Sequence, residues 1–534
     1  MSNDPDLARS VAHGAALLRD GHVAEARAHC DALLRRHPGG DAALWRLATE
    51  VALACGDFSW ALHHVERKLE RAPQEALLHL RKAQLLLAAR ERRGAIDTAA
   101  HVAALEGAGA PELREAAAVL TKCNATEAAR SCLERAHRRS PLAPAVLYDL
   151  ALAHFYADNT ADAERCLAAV LDQFPQHGGT LYLRSVLRVQ TAERNNIADL
   201  QQKLAARRGT PADVAATHFA LAKEYEDLGE HRHAFAALRT AAQLKRRLVN
   251  YRSEDETGAI RGIEAAFGPA EAAAATPGCD EAGPIFVVGM PRTGTTLVER
   301  MLSSHSGVES IGEFPEFPVL LREQADLTAA ASHDEQLTPA RASVRVDFAA
   351  LGRRYLEAAR QLCKAPRFVD KLPHNALYCG HILKALPRAR VIHLVRDPMD
   401  TCYAVFKTLF NQSYSYSYDL DELADYYIAH RRLMDHWHRV LPGAILDVAY
   451  EDIVADPERE ARRIVAWCDL GWEPAVLEFY RSTRDSTTAS AAQVRGPVYA
   501  GSVGKWRNYS NELAGLHARL AEAGVLTAHR AAPT

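Results

Sequence analysis

Residues 284–303 read PIFVVGMPRTGTTLVERMLS. The first six are apolar apart from their glycine and rich in β-branched residues (Ile285, Val287, Val288), the composition of a strand buried on both faces. From Thr295 onward, Leu297, Met301 and Leu302 recur at helical spacing. Between them lies Gly289-Met290-Pro291-Arg292-Thr293-Gly294-Thr295-Thr296, a GxxxxG loop followed by two hydroxyl residues. A strand, a glycine loop and a helix in this order aim backbone N–H groups and a helix N-terminus at one point, which makes an anion nest. Nucleoside-triphosphatase loops carry a lysine where Thr295 stands, to reach the β- and γ-phosphates. Here that lysine is absent and a cation stands earlier, at Arg292, so no γ-phosphate and no tightly held magnesium need be served.

Two further apolar runs follow, RVIHLV (390–395) and AILDVAY (444–450). Each precedes an Asp-Pro pair, Asp397-Pro398 and Asp456-Pro457, which supplies an N-cap and a first-turn proline for a helix. Strands alternating with helices predict an α/β domain over 284–534, with a mostly parallel sheet covered on both faces.

The first 250 residues are of another kind, rich in Ala, Leu and Arg at helical spacing. Small residues recur at Ala26, Ala61, Ala95, Ala129 and Ala163, in steps of 35, 34, 34 and 34. Prolines follow four of them twelve residues later: Pro38, Pro73, Pro141 and Pro175, with Gly107 in the fifth place. Turn residues precede them at Gly21-His22, Gly56-Asp57, Arg93-Gly94 and Asp158-Asn159. The phase continues weakly at Ile197 and, after an insertion around 207–211, at Ala234, for seven units with the sixth degenerate. This pattern resembles the tetratricopeptide repeat, which implies an all-α superhelical array over 1–250 whose helix pairs stack and engage a partner. Residues 251–283, small and turn-rich toward their end, are expected to form a linker.

Composition narrows the function. Apolar residues make 48% of the 534 and charged residues 25%, ordinary for a globular chain. Lys plus Arg (64) nearly balance Asp plus Glu (67), and the net charge of −3 excludes a general nucleic-acid binder. Ten cysteines without CxxC spacing indicate neither a zinc ribbon nor a disulfide scaffold. No export signal and no membrane span is read, so the expected location is cytoplasmic.

The stretches PIFVVGMPRTGTTLVERML and VIHLVRDPMDTCYAVFK together resemble the 5′-phosphosulfate loop and the 3′-phosphate strand and helix of the sulfotransferase superfamily. Within it, the chain is most similar to tyrosylprotein sulfotransferases and to bacterial sulfotransferases with tetratricopeptide repeats in front. The resemblance implies the donor PAPS (3′-phosphoadenosine 5′-phosphosulfate), metal-free transfer to an acceptor hydroxyl, and adenosine 3′,5′-bisphosphate as product. By matching position, it implies that Arg292 faces the donor sulfate and 5′-phosphate, and that Thr293, Gly294, Thr295 and Thr296 hold that phosphate. It implies Glu313 (in ESIGEFPEF) as base, Lys371 (in FVDKLPHNAL) at the bridging oxygen, Arg396 at the 3′-phosphate and Tyr450 (in VAYED) beside the adenine. Ser490 and Lys505 match the sulfate-side serine and a nucleotide-binding lysine. One departure stands out: the family's serine eight positions after the arginine is Ala404 here, so a 3′-phosphate contact is either lost or supplied elsewhere, from Lys407 or Cys402.

These residue types suit the chemistry. Negative charge grows on the bridging oxygen in the transition state, and fixed cations and backbone donors aimed there stabilise it. A tyrosine hydroxyl has pKa ~10, so a positioned base is valuable. The preferred acceptor is a protein or peptide tyrosine held partly by the array, with a homodimer compatible. Carbohydrate or small-molecule hydroxyls, and a nucleotide-sensing scaffold without activity, are the alternatives. Tyr414, Tyr416 and Tyr418 read as a half-exposed strand, with a lining of the acceptor cleft as the lesser alternative. His430, His436 and His438 share a helix without an acidic third ligand. Removal of 1–250 is expected to leave nucleotide binding nearly intact.

Overall fold

The computed structural model describes residues 5–37, 41–206, 208–274, 277–332, 334, 337–410, 413–481, 496 and 500–526. Pro284–Gly289 forms strand β1, buried along its whole length, at the centre of a five-stranded sheet. Its partners are β2 (Val308–Gly312), β3 (Arg367–Lys371), β4 (Arg390–Val395) and β5 (Ile445–Ala449), in the order β2-β3-β1-β4-β5. All four pairings are parallel, with Val287 opposite Lys371 on one side and Ile392 on the other.

Alternation along β1 explains why both faces must be covered. Phe286 and Val288 join one core with Phe317, Tyr355 and Leu433. Ile285 and Val287 join another with Leu297, Val298, Met301 and Leu302 of helix Thr295–Ser303, and with Ile464 and Val465 of helix Pro457–Trp467. The predicted caps are in place. Asp397 accepts from the Asp400 N–H ahead of helix Pro398–Phe406, and Asp456 from the Arg459 N–H. Strands β2 and β3, VESIG and RFVDK, were not among the predicted strands, because they are short and charged. The expectation of a strand at Tyr414–Tyr418 is corrected: Ser415–Tyr418 is a 3₁₀ turn behind a left-handed Tyr414, with Tyr416 and Tyr418 buried. Serine and tyrosine alternate there on a tight turn, and a period of two alone does not distinguish the cases.

Before the sheet the chain is helical. Helices begin at Val23, Phe58, Arg92, Thr126 and Thr160, in steps of 35, 34, 34 and 34. Ala26, Ala61, Ala95, Ala129 and Ala163 are all at most 3% exposed, so the periodic small residues are the ones that let helices approach. Pro73, Pro141 and Pro175 fall between helices, and Pro38 lies outside the described residues. Left-handed residues precede each of these helices: Gly21, Gly56, Arg90, Asn124 and Asp158. The third turn is therefore Arg90-Glu91; Arg93 and Gly94, read as a turn above, lie inside helix Arg92–Ala104.

By compactness the chain divides into Met1–His154 and Phe155–Thr534. This differs from boundaries at 250 and 284. Phe219, Phe235 and Phe267 belong to the same core as Phe286. Arg246 holds Glu422 through two hydrogen bonds of 2.6 and 2.7 Å. Residues 251–283 carry helix Ser253–Ala266, and the Phe267 ring after it meets Trp437 edge-on at 5.2 Å. Among the described residues, no helix is long and apolar enough to cross a membrane.

Candidate active site

Every parallel strand delivers its following loop to one edge of the sheet, and the crevice beyond the carboxyl ends is where such folds bind ligands. Arg292 to Thr296 follow β1, Glu313 follows β2, Lys371 ends β3, Arg396 follows β4 and Tyr450 follows β5. The fold thus carries these nine predicted residues, scattered over 159 positions (292 to 450), to one edge.

The β1 loop is shaped by two glycines and one arginine. Gly289 (φ 144°) and Gly294 (φ 101°) take backbone conformations that L side chains avoid, and Arg292 adopts one as well (φ 67°). A non-glycine residue held there is a local cost of ~1–3 kcal/mol, the kind retained where geometry matters for function. The Thr293 hydroxyl donates to the Met290 carbonyl at 2.8 Å and ties the loop to itself. Thr295 and Thr296 are buried in the first turn of helix Thr295–Ser303, whose N-terminus opens on the loop, the end of a helix that favours an anion.

Arg396 closes this side. Its Nη1 donates to the Arg292 carbonyl (3.1 Å) and its Nη2 to the Ser502 carbonyl (2.5 Å), and its guanidinium lies 4.9 Å over the Tyr450 ring. The Tyr450 hydroxyl meets Ser502 Oγ at 2.6 Å. Arg396 Nε is buried and has no hydrogen-bond partner among the described residues, a donor suited to an anion. Asp400 accepts from the Gly504 and Trp506 N–H groups and so pins the segment that carries Lys505.

The acid–base side is a second cluster. Lys371, 1% exposed, places Nζ 2.5 Å from Glu313 Oε1 and 3.9 Å from Glu299 Oε2. Glu313 is half-exposed (45%), so one side of it faces solvent. Glu299, unremarked in the sequence, accepts from Ser310 Oγ at 2.6 Å, and burial raises its pKa, opposed by Lys371. Beside Lys371, burial pushes the Asp370 carboxyl up to about 8, while it accepts the Tyr355 hydroxyl at 2.8 Å. Burial raises the Tyr414 phenol, and the charge of Glu313 raises it further.

Ser490 lies outside the described residues. Lys505 is described, with its Nζ 3.8 Å from Glu226, the carboxylate that also holds Lys407. Of the two proposed substitutes for the missing serine at Ala404, Cys402 is fully buried, and burial pushes its thiol up. Lys407 is paired with Glu226 at 2.5 Å. Nothing in the local sequence flags Glu226, 181 positions before its partner. The absence of an acidic ligand near the histidines is also corrected. Asp447 of β5 accepts from His393 Nδ1 (2.9 Å) and His438 Nε2 (3.0 Å), and the ligand-type atoms of the three lie within 4.8 Å of one another. Both imidazoles turn to one carboxylate oxygen, the arrangement of a hydrogen-bonded triad.

The sulfotransferase family model matches residues 284–474. An uncharacterized protein of Aquifex aeolicus (strain VF5) is 34% identical over 316 residues, 56% of this chain and 40% of that protein. A protein-tyrosine sulfotransferase of Drosophila melanogaster is 25% identical over 241 residues, 42% of this chain and 46% of its own length. A protein-tyrosine sulfotransferase A of Caenorhabditis elegans is 25% identical over 232 residues, covering 42% and 60%. The matched part is thus roughly half the length of these curated relatives. Among solved structures, the sulfotransferase domain of an olefin synthase from Synechococcus PCC 7002 aligns at 22% identity, over 43% of this chain and 90% of that one, with a TM-score of 0.33.

Proposed function

We propose that this protein transfers a sulfuryl group from PAPS to an acceptor hydroxyl, and that the acceptor is a tyrosine of a protein or peptide. The observation that carries the reading is the placement of Lys371 against Glu313 at 2.5 Å, at the same sheet edge as the glycine loop. In-line transfer sets the departing and the acceptor oxygen on opposite sides of the sulfur, so a leaving-side cation and an acceptor-side base must line the same crevice. In the proposed step the S–O bond to the bridging phosphate oxygen breaks and a bond from sulfur to the acceptor oxygen forms. The acceptor proton goes to Glu313, and adenosine 3′,5′-bisphosphate leaves. Arg292 and the loop N–H groups bear on the sulfate and 5′-phosphate, and Lys371 on the bridging oxygen. Arg396 bears on the 3′-phosphate, with Tyr450 beside the adenine, and Lys505 adds positive charge. Ser490 keeps its place in this assignment by sequence alone.

The protein-tyrosine sulfotransferases among the relatives support the choice of acceptor. So does the helical region before the sheet, whose 34-residue step suits a tetratricopeptide-like array that holds a chain. The deciding measurement is transfer of labelled sulfate from PAPS to a tyrosyl peptide, a sugar and a simple phenol, alongside labelled phosphate from ATP. Sulfate on the peptide is expected. Transfer only to the sugar would move the acceptor, and phosphate transfer alone would overturn the reaction.

A further inference from the structure

Next to the glycine loop, a set of cations is assembled around a carboxylate that comes from outside the family-matched segment. Glu226 sits in the last turn of helix Pro211–Asp227. Its Oε2 lies 2.5 Å from Lys407 Nζ and 3.8 Å from Lys505 Nζ. Its Oε1 accepts from the Tyr403 hydroxyl at 2.6 Å and the Tyr509 hydroxyl at 3.3 Å. The side chain is only 12% exposed. Burial opposes its ionisation, but the two ammonium groups win and hold its pKa down to about 2, so it is charged at any working pH. Tyr403 and Lys407 follow Arg396 on and just after helix Pro398–Phe406, and Lys505 lies three residues after Ser502, whose carbonyl accepts from Arg396 as the Arg292 carbonyl does. The Leu409 N–H, two residues beyond Lys407, donates to the Tyr182 hydroxyl. The cluster therefore adjoins the loop.

Two like charges gathered without a ligand repel one another, and a fixed carboxylate between them relieves that repulsion. The same carboxylate opposes any anion that comes to those cations. We propose that Glu226 is the resident counter-ion of the donor pocket: it engages Lys407 and Lys505 while the pocket holds no nucleotide, and an arriving donor phosphate must compete with it. It is a positioning residue, acting through the two lysines. The inference rests on the reading of the pocket as a PAPS site.

The test is calorimetric binding of adenosine 3′,5′-bisphosphate to the full chain at low salt, for wild type and Glu226→Gln. Glutamine keeps an oxygen for both tyrosines and removes only the charge. The variant is expected to bind ~10-fold more tightly, and the gain should shrink as salt is added. A residue that merely braced the structure would weaken binding when replaced, so an unchanged or lower affinity overturns the inference. A wild-type chain that does not bind the bisphosphate at all brings down the donor assignment and this inference with it. Should Glu226→Gln fail to fold with Lys407 unpaired, Lys407→Met is compared with Lys407→Met plus Glu226→Gln. The double variant should bind ~10-fold more tightly than the single one, and equal affinities overturn the proposal.

Discussion

Lys371 shows how much one side chain is made to do: an ammonium 1% exposed, held by two carboxylates at the end of a strand. Its partner Glu313 is the residue to separate from it. Glu313→Gln keeps shape and removes proton affinity, so kcat toward a weakly acidic phenol should fall ~100- to 10,000-fold. A phenol already ionised at neutral pH needs no base and should lose far less. Lys371→Ala acts on the departing side and should slow both phenols, ~100- to 1000-fold. Steady-state rates for both variants on two phenols of well-separated pKa check this, and a Glu313→Gln enzyme within a few-fold of wild type on the weaker acid removes Glu313 from the mechanism. Gly294 offers a second residue-scale test. A Cβ there would meet the Tyr450 ring at 2.8 Å, on a backbone at φ 101°. Gly294→Ala should therefore weaken binding of adenosine 3′,5′-bisphosphate by ~10-fold or more, read by titration calorimetry.

At the scale of elements, the repeated helix pair depends on a left-handed residue before each second helix. Gly56 (φ 70°) has open space around it, so only backbone strain opposes a side chain. Gly56→Ala should cost about 1 kcal/mol locally, read as faster hydrogen exchange in helices Ala42–Cys55 and Phe58–Leu69. Helix Leu420–Val440 carries a pH sensitivity into the core. Burial pushes the pKa of His430 down to about 3, and that of His381, which meets Ser343 Oγ, likewise to about 3. Below their ordinary pKa of ~6.5 the unfolded chain takes up protons that the folded chain refuses. Stability should thus fall as pH drops from about 6.5 toward 3, by up to ~1.4 kcal/mol per pH unit for each histidine. His430→Phe should flatten the slope by one proton, measured as urea midpoints against pH. A slope equal to the wild type's would show that His430 does not titrate in this range.

At the scale of the molecule, the unit that contains the sheet begins at Phe155, within the stretch that reads as repeat array. Glu226, Arg246 and Phe267 all make their contacts inside that unit. A chain cut after residue 154 should keep affinity for adenosine 3′,5′-bisphosphate within about threefold of the full chain, since a compact unit with its own core folds by itself. A chain cut after residue 250 loses Glu226 and Tyr182 and exposes their partners, so it should fail to fold or to bind. The sequence-based expectation is the opposite, that removal of residues 1–250 leaves nucleotide binding nearly intact. Thermal melts and calorimetry on the two truncations decide it, and a 251–534 chain that binds normally would show the earlier helices to be ornament.

The sequence by itself determined what local rules govern. β1, β4 and β5 are uninterrupted apolar runs, the helices after β4 and β5 start at Asp-Pro caps, and the glycine loop needs only its own residues to take its shape. The 34-residue step is also legible, because packing imposes the same small residue once per unit. Only the tertiary structure decided the rest. β2 and β3 are too short and too charged to stand out, and they are strands because β1 pairs with β3 and β3 with β2. Lys371 meets Glu313 across 58 positions, Asp447 meets His393 across 54, and Glu226 meets Lys407 across 181. No spacing rule reaches that far: an isolated Glu or His reads as a solvated side chain until the chain folds, and its role is set by the charges and the desolvation that folding brings to it.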